Sequence, residues 1–275
     1  MQAMNETFNF SRFWTYFKYD LKQMWRNHSK AAILIGGASA IFYVIWLLCS
    51  LVFAQHWTTP PIAARLVILI LAFAILELYQ VRTYGHLTEK KAGSAWLMIP
   101  ASKAEKYVSM LLITLIVIPL LFVAVYFLID GFLSLVDPTV GKALLASASG
   151  IYQEFLNGII TLRDASPITF STSGLIAYTI VGFFCNFLYF LLCGICFKKN
   201  KLVTAIAILF GISLLLSLLS GLFLPRFIQS MSAGFDEIKV AEWTVRMMNI
   251  SVVVTCLVTI GLACGVWRRI KTIQH

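Results

Sequence analysis

Long apolar runs alternate with short polar segments along the chain, and this pattern predicts an all-α membrane protein. A hydrocarbon core about 30 Å thick is crossed by about 20 helical residues. Backbone groups in lipid must pair within helices or within a closed barrel, and barrel strands read as alternating segments of about ten residues. Because these runs are continuous and longer, we predict six transmembrane helices, at residues 31–54, 62–81, 107–131, 174–197, 202–224 and 247–267.

The Lys and Arg residues between the runs predict the orientation of these helices. Sixteen of the 22 lie in the N-terminal segment, in residues 82–106 and 198–201, or after residue 267. Cytoplasmic segments of membrane proteins carry this excess of positive charge. We therefore expect both termini in the cytoplasm. The outer segments would be 137–172, with a surface helix, and 225–246, with a short surface or re-entrant helix.

Residues 8–26 place large aromatic side chains at helical spacing with basic residues between them. This pattern predicts an amphipathic helix in the membrane interface, with rings in the acyl boundary and cations at anionic headgroups. A small packed cytosolic helix is the alternative. The chain is 60% hydrophobic and 12% charged, with a net charge of +10. Because the cations flank the runs, this charge indicates membrane lipid as the partner and not nucleic acid.

The segment 82–106 is too short for a domain but carries its own helix signals. Residues 88–98 predict a short helix, with Thr88 as its cap and Glu89 in its first turn. Pro100 stops this helix, since proline cannot continue the backbone hydrogen-bond ladder.

The end of the same segment has two further features. Ser102 and Glu105 have the S-x-x-E spacing of a capping box at the start of the third span. The short helix before them is suited to transmitting force between two spans. Alternatively, Trp96 and its apolar neighbours dip into the headgroup layer.

Polar residues inside the spans are candidates for function because charge in lipid is costly. Glu77 lies near the inner end of the second span, where Arg82 or the Lys198–Lys201 cluster could pair with it. We favour such structural pairing over a proton or substrate role. Arg65, at the outer end of the same span, is expected to snorkel towards the interface.

Small residues in the fifth span suggest close helix packing. Ser213, Ser217 and Ser220 share one face of the helix. We favour packing within the chain over contact with a second copy or a translocation path. The C-x-x-C pair Cys193 and Cys196 could be a redox or metal site, but with no histidine nearby we interpret it as apolar helix filling.

The chain lacks the common sequence signatures of catalysis. It contains no G-x-x-x-x-G-K-[ST], no H-E-x-x-H and no G-x-S-x-G. We therefore expect no enzyme activity and no cofactor in this chain.

The overall pattern resembles the permease subunits of type-2 ABC exporters. An interfacial helix, six spans and a short structured loop after the second span make up this resemblance. The stretch from Trp96 to Tyr107, WLMIPASKAEKY, is similar to the family pattern of an apolar turn, Pro, a small residue, Ser, a basic residue and an acid.

The resemblance implies a pair of permeases, as a homodimer or heterodimer in the bacterial cytoplasmic membrane, with each copy bound to a separate ATPase that carries ATP and Mg. The loop after the second span would be a coupling helix on that ATPase. The coupling residues would be Thr88, Glu89, Lys90, Lys91, Trp96, Leu97 and Pro100. The outer segment 137–172 is longer, and residues 225–246 are more polar, than the family pattern.

Two other functions compete with export. A non-transporting scaffold, such as an immunity or sensor subunit, would keep the coupling helix but have no continuous polar path. An integral-membrane enzyme acting on lipid would need clustered acids or histidines at one depth, which Glu77 alone does not supply. The sequence does not name a substrate.

Overall fold

The computed structural model describes residues 8–54, 59–137, 140–165, 172–232 and 237–272, and every regular element in these ranges is helical. Short π-helical segments at Ser50–Ala54 and Ile113–Val117 continue α2 and link α5 to α6, and a 3₁₀ turn at Gly85–Thr88 precedes α4. The described ranges contain ten α-helices: α1 Phe10–Gly36, α2 Ala38–Cys49, α3 Ile62–Thr83, α4 Lys90–Met98, α5 Lys103–Leu112, α6 Ile118–Val136, α7 Leu144–Ala165, α8 Thr172–Cys196, α9 Lys201–Ser232 and α10 Glu237–Thr272.

The helices confirm a multi-pass membrane protein of the all-α class. Five stretches in the described part of the chain are long and apolar enough to cross a bilayer. A sixth is present if α1 and α2, which meet at a 40° bend, count as one span. The five are Ile62–Thr88, Lys103–Val136, Gly174–Cys196, Lys201–Leu218 and Val245–Thr272.

One helix runs through the predicted boundary between an interfacial helix at 8–26 and a span from residue 31. Helix α1 is continuous to Gly36 because no glycine or proline interrupts it. Asn9 caps its start, since the side-chain Oδ1 accepts from the backbone N–H groups of the next turn. The break falls at Gly37, directly after Gly36, whose missing Cβ would lie 2.7 Å from Val125 Cγ1 of α6.

Side-chain contacts bring several helix termini together at one end of the bundle, which we call the α4 end. The Asn9 N–H donates to Glu105 in the first turn of α5. Lys103 Nζ, in the same turn, donates to the Lys271 carbonyl at the end of α10. Both ends of the described chain therefore lie at the α4 end.

The bundle core has two main clusters of buried side chains. The first packs α3 and α6 against α8 through aromatic residues that include Phe122, Tyr126 and Phe187. The second lies at the α4 end and contains Leu87 and Trp96 among residues from α5, α8 and α10. The position of the short helix α4 is therefore set by the same core that holds the spans together.

The two segments that were predicted to lie on the outer side differ in their structure. The described part of 137–172 contains helix α7, as predicted. No separate helix lies in the described part of 225–246, because α9 extends to Ser232 and α10 begins at Glu237. A helix pairs its own backbone groups both in lipid and in water. The more polar residues of 225–246 therefore did not end α9 where its apolar run ends.

Candidate functional site

Helix α4 begins later than the sequence predicts. Thr88 closes the preceding 3₁₀ turn, where its Oγ1 donates to the Gly85 carbonyl at 3.0 Å. Its hydroxyl therefore caps nothing, and Glu89 takes the N-cap position without a side-chain hydrogen bond. The predicted stop is confirmed: α4 ends at Met98, and the next residue is extended because it precedes Pro100.

Trp96 lies inside the protein and not in a headgroup layer. Its side chain is only 7% exposed, and the indole Nε1 donates to the Tyr16 hydroxyl of α1 at 3.0 Å. It packs with Leu87 and Met110 in the cluster at the α4 end. Trp96 therefore positions α4 on α1, and it is too deeply buried to be the surface that a partner contacts first.

Lys106 also holds the C-terminal end of α4. Its ammonium donates to the Trp96 carbonyl at 2.8 Å and to the Leu97 carbonyl at 3.4 Å, and it lies 4.6 Å from the centre of the Trp96 ring. The last carbonyls of a helix lack partners within it and carry partial negative charge. A buried cation from α5 satisfies these carbonyls, so α4 is attached to the start of the third span.

Glu105 connects α5 to α1. The predicted capping box with Ser102 is confirmed, with the Ser102 N–H donating to Glu105 at 2.9 Å. The same fully buried carboxylate also accepts from the Asn9 N–H at 2.8 Å and pairs with Arg12 at 2.7 Å. The sequence indicated the local box but not the Arg12 pair, since those residues are 93 positions apart.

Asp20 is a second buried carboxylate at the α4 end, and it was not among the residues predicted from the sequence. It accepts from the Tyr84 hydroxyl at 3.0 Å and from Ser109 Oγ at 2.7 Å. These bonds link α1 to the end of α3 and to α5. One signal was present: Asp20 follows Tyr16 by four residues, which places it on the buried face of α1.

The side of α4 that faces away from the bundle is exposed. Ala95 and Met98 lie three residues apart on one face, and the Met98 side chain is 84% exposed. Glu89 and Pro100 are also exposed, whereas Leu97 is half-buried. Lys90 and Lys91 belong to α4, but their side chains lie outside the described residues.

A groove of about 680 Å³ adjoins this surface. It runs between the first turns of α1 and the residues that follow α4, and its walls include Arg12, Tyr16, Tyr19, Ile99 and Pro100. The α4 end therefore offers an exposed apolar residue next to a mixed polar and aromatic groove, supported by buried hydrogen bonds.

Glu77 has a different partner from those predicted. Its Oε2 accepts from Asn186 Nδ2 of α8 at 3.3 Å, and no ion pair joins it to Arg82 or to a Lys of 198–201 among the described residues. Asn186 lies beside Glu77 on the neighbouring helix, whereas Arg82 is five residues further along α3 and on a different face, and the lysines of 198–201 lie beyond the end of α8. The prediction of a cationic partner is therefore wrong.

The serine face of α9 is not packed within the chain. Ser213 and Ser217 are exposed, and Ser213 Oγ donates to the Phe210 carbonyl of its own helix. The side chain of Ser220 lies outside the described residues. Helix α9 separates from the bundle after the buried Ala205, so the preference for packing within the chain is wrong for the two described serines.

Arg65 does not snorkel towards the interface. Its guanidinium donates to Asp130 Oδ1 at 2.6 Å, and both side chains are buried. Arg65 also donates to the Val140 and Lys142 carbonyls, and Asp130 Oδ2 accepts from the Leu144 N–H at 2.8 Å. This network, at the end opposite α4, fixes the start of α7.

No group of three His, Cys, Asp or Glu side chains in the described ranges could hold a metal ion. Cys193 is buried and Cys196 is exposed, and both are free thiols. The chain matches no protein-family model, no curated protein and no solved structure. Functional inference therefore depends on the geometry around α4.

Proposed function

We propose that this chain is the permease subunit of an ATP-binding-cassette exporter in the bacterial cytoplasmic membrane. In this proposal both termini and the α4 end face the cytoplasm, and a separate ATPase subunit supplies the energy. The distribution of Lys and Arg supports this orientation. Two copies of the permease, identical or different, would form the functional unit.

The attachment of α4 is the observation that carries the proposal. Helix α4 lies between two candidate spans, and its inner side is held by Trp96 on Tyr16 and by Lys106 on the α4 carbonyls. Buried groups of this kind are costly to leave unpaired. Displacement of α4 would therefore move α1 and α5 with it rather than bend a flexible loop.

The exposed side of α4 has the chemistry of a docking surface. Methionine and aromatic residues are enriched in protein interfaces, and exposed apolar residues rimmed by polar groups mark such sites. Met98 and Pro100 would contact the ATPase, with the groove beside α1 receiving a protruding element. Glu89 and Leu97 would flank this contact, whereas Trp96 would act through its position.

The exposed part of α9 is available for a second permease copy. Every described residue from Ile206 to Leu218 is exposed except Gly211. Ser213 and Ser217 on this helix provide small, hydrogen-bonding contacts of the kind that join helices in lipid. Glu77 and Asn186 add polar groups to a path between the copies.

Co-purification tests the proposal directly. The tagged chain is extracted in mild detergent from its native cells, and the recovered proteins are searched for a subunit with a P-loop. We expect such a subunit with the native chain and with Met98→Leu, and at least a tenfold lower recovery with Met98→Glu. Retention of a stable permease in both variants serves as the folding control. Absence of any ATPase with the native chain would refute the proposal.

Cysteine labelling tests the orientation separately. Ala95 is exposed, so Ala95→Cys in a background without the native cysteines provides a site for a membrane-impermeant maleimide. We expect reaction only after the cells are opened. Labelling of intact cells would place α4 outside and would contradict the coupling role.

The interior of the single chain favours one alternative, a non-transporting scaffold. Phe73, Phe122, Phe183 and Phe187 form an aromatic cluster, with no polar side chain among them, between α3, α6 and α8. A scaffold would bind the ATPase but move no substrate. Cross-linking of α9 between copies distinguishes the two, since only an exporter needs that interface to open and close during ATP hydrolysis.

A further inference from the structure

A basic cleft lies at the α4 end, and it shares no lining residue with the groove beside α1. Its volume is about 510 Å³, and it opens between the end of α3, the 3₁₀ turn and the loop from α8 to α9. Sites that bind small molecules commonly have volumes of 300–1,000 Å³. Charged and polar residues line much of it: Arg82, His86, Glu89, Lys198, Asn200 and Lys201.

Local backbone geometry builds this cleft. Helices α3 and α8 touch closely at Gly194, where a Cβ would lie 2.5 Å from the Val81 carbonyl oxygen. The loop after α8 then turns through Asn200, which has a φ of 48° in the left-handed region that Asn tolerates. Helix α9 starts at once, and Lys201 donates to the Gly85 carbonyl across the cleft floor.

The charges in the cleft favour an anion. Arg82, Lys198 and Lys201 supply three cations, and Glu89 supplies one carboxylate. No ion pair within the described residues involves Arg82 or Lys198. Lys201 uses one of its three ammonium protons on the Gly85 carbonyl, so further donors remain.

The wall of the cleft formed by α9 is apolar and continues along that helix into the membrane. Val203 lines the cleft and is exposed, as are Ile206 and Phe210, which follow it by three and seven residues on the same face of α9. The basic residues lie where α3 and α8 end and α9 begins, at the level at which membrane-spanning segments meet the headgroups. Cations therefore lie at headgroup depth directly beside a strip that acyl chains can cover.

We propose that this cleft binds the phosphate of an anionic phospholipid, with Arg82, Lys198 and Lys201 around the headgroup and an acyl chain along the Val203 face of α9. Basic pockets between transmembrane helices bind anionic headgroups in this manner. A free phosphate would satisfy the cations but not the apolar strip. The proposal does not depend on the exporter function, since it needs only that α3, α8 and α9 span the membrane.

The experiment compares two matched double variants of the full chain. Arg82→Gln with Lys198→Gln removes two cleft cations, whereas Arg268→Gln with Lys199→Gln removes two exposed cations outside the cleft. Native mass spectrometry of the delipidated protein measures binding of phosphatidylglycerol and phosphatidylcholine. We expect the native preference for phosphatidylglycerol to fall about 30-fold in the cleft variant, at roughly fivefold per cation, and to persist in the control.

Three outcomes would overturn the lipid site. Equal losses in the two double variants would show an effect of overall charge. An unchanged preference for phosphatidylglycerol in the cleft variant would show that the cleft does not bind this lipid. Binding of inorganic phosphate without any preference for phosphatidylglycerol over phosphatidylcholine would assign the cleft to a soluble anion. The charge-conserving variant Arg82→Lys with Lys198→Arg should keep the preference, which separates loss of binding from loss of folding.

Discussion

The hydrogen bond between Trp96 and Tyr16 gives the sharpest test of how α4 is held. Trp96→Phe keeps an aromatic ring in the core but deletes the indole N–H that donates to Tyr16 at 3.0 Å. Tyr16 is only 5% exposed, so its hydroxyl loses a partner that water cannot easily replace. Leaving such a buried polar group unsatisfied costs about 1–3 kcal/mol.

This cost should appear as local opening of α4. A loss of about 1–3 kcal/mol corresponds to about 5- to 150-fold faster amide exchange where exchange follows the open population. Helix α4 lies between candidate spans, so solvent reaches its amides. Hydrogen–deuterium exchange of the purified chain should therefore show faster exchange in Lys90–Met98, with the middle of α8 unchanged.

Two further variants separate the hydrogen bond from packing. Trp14 is exposed on α1, so Trp14→Phe should change exchange in α4 by less than about twofold. Tyr16→Phe combined with Trp96→Phe removes both polar partners, and its effect should be smaller than the sum of the two single effects. Unchanged exchange of α4 in Trp96→Phe would refute the account of α4 as a helix fixed by this bond.

Two other contacts allow predictions of stability, measured by thermal unfolding in detergent. Asp130→Leu should destabilise the protein by about 3–5 kcal/mol, because the Arg65 charge would remain buried without its carboxylate, and adding Arg65→Met should recover part of that loss. No recovery in the double variant would contradict a buried pair. Gly194→Ala should lower the melting temperature because its Cβ would meet the Val81 carbonyl, whereas Gly182→Ala on the same helix has open space and should be neutral or stabilising. Equal effects of the two alanines would show that close contact of α3 with α8 is unimportant.

Local signals in the sequence were sufficient for several details of the α4 region. The capping box of Ser102 with Glu105 and the stop before Pro100 depend on neighbouring residues only, and both were predicted correctly. Thr88 was assigned the wrong role because a 3₁₀ turn competed for its hydroxyl. The burial of Trp96 depends on α1, which lies 80 residues away in the sequence, and no local pattern reveals that contact.

The sequence by itself determined the helical class and the placement of most membrane spans, because apolar run length against bilayer thickness is a local property. The tertiary structure alone decided which polar groups become partners. Arg65 meets Asp130 from 65 residues away, and Glu77 meets Asn186 from 109 residues away. Such pairs depend on the rotation and packing of whole helices, and many rotations would bury the same apolar runs equally well.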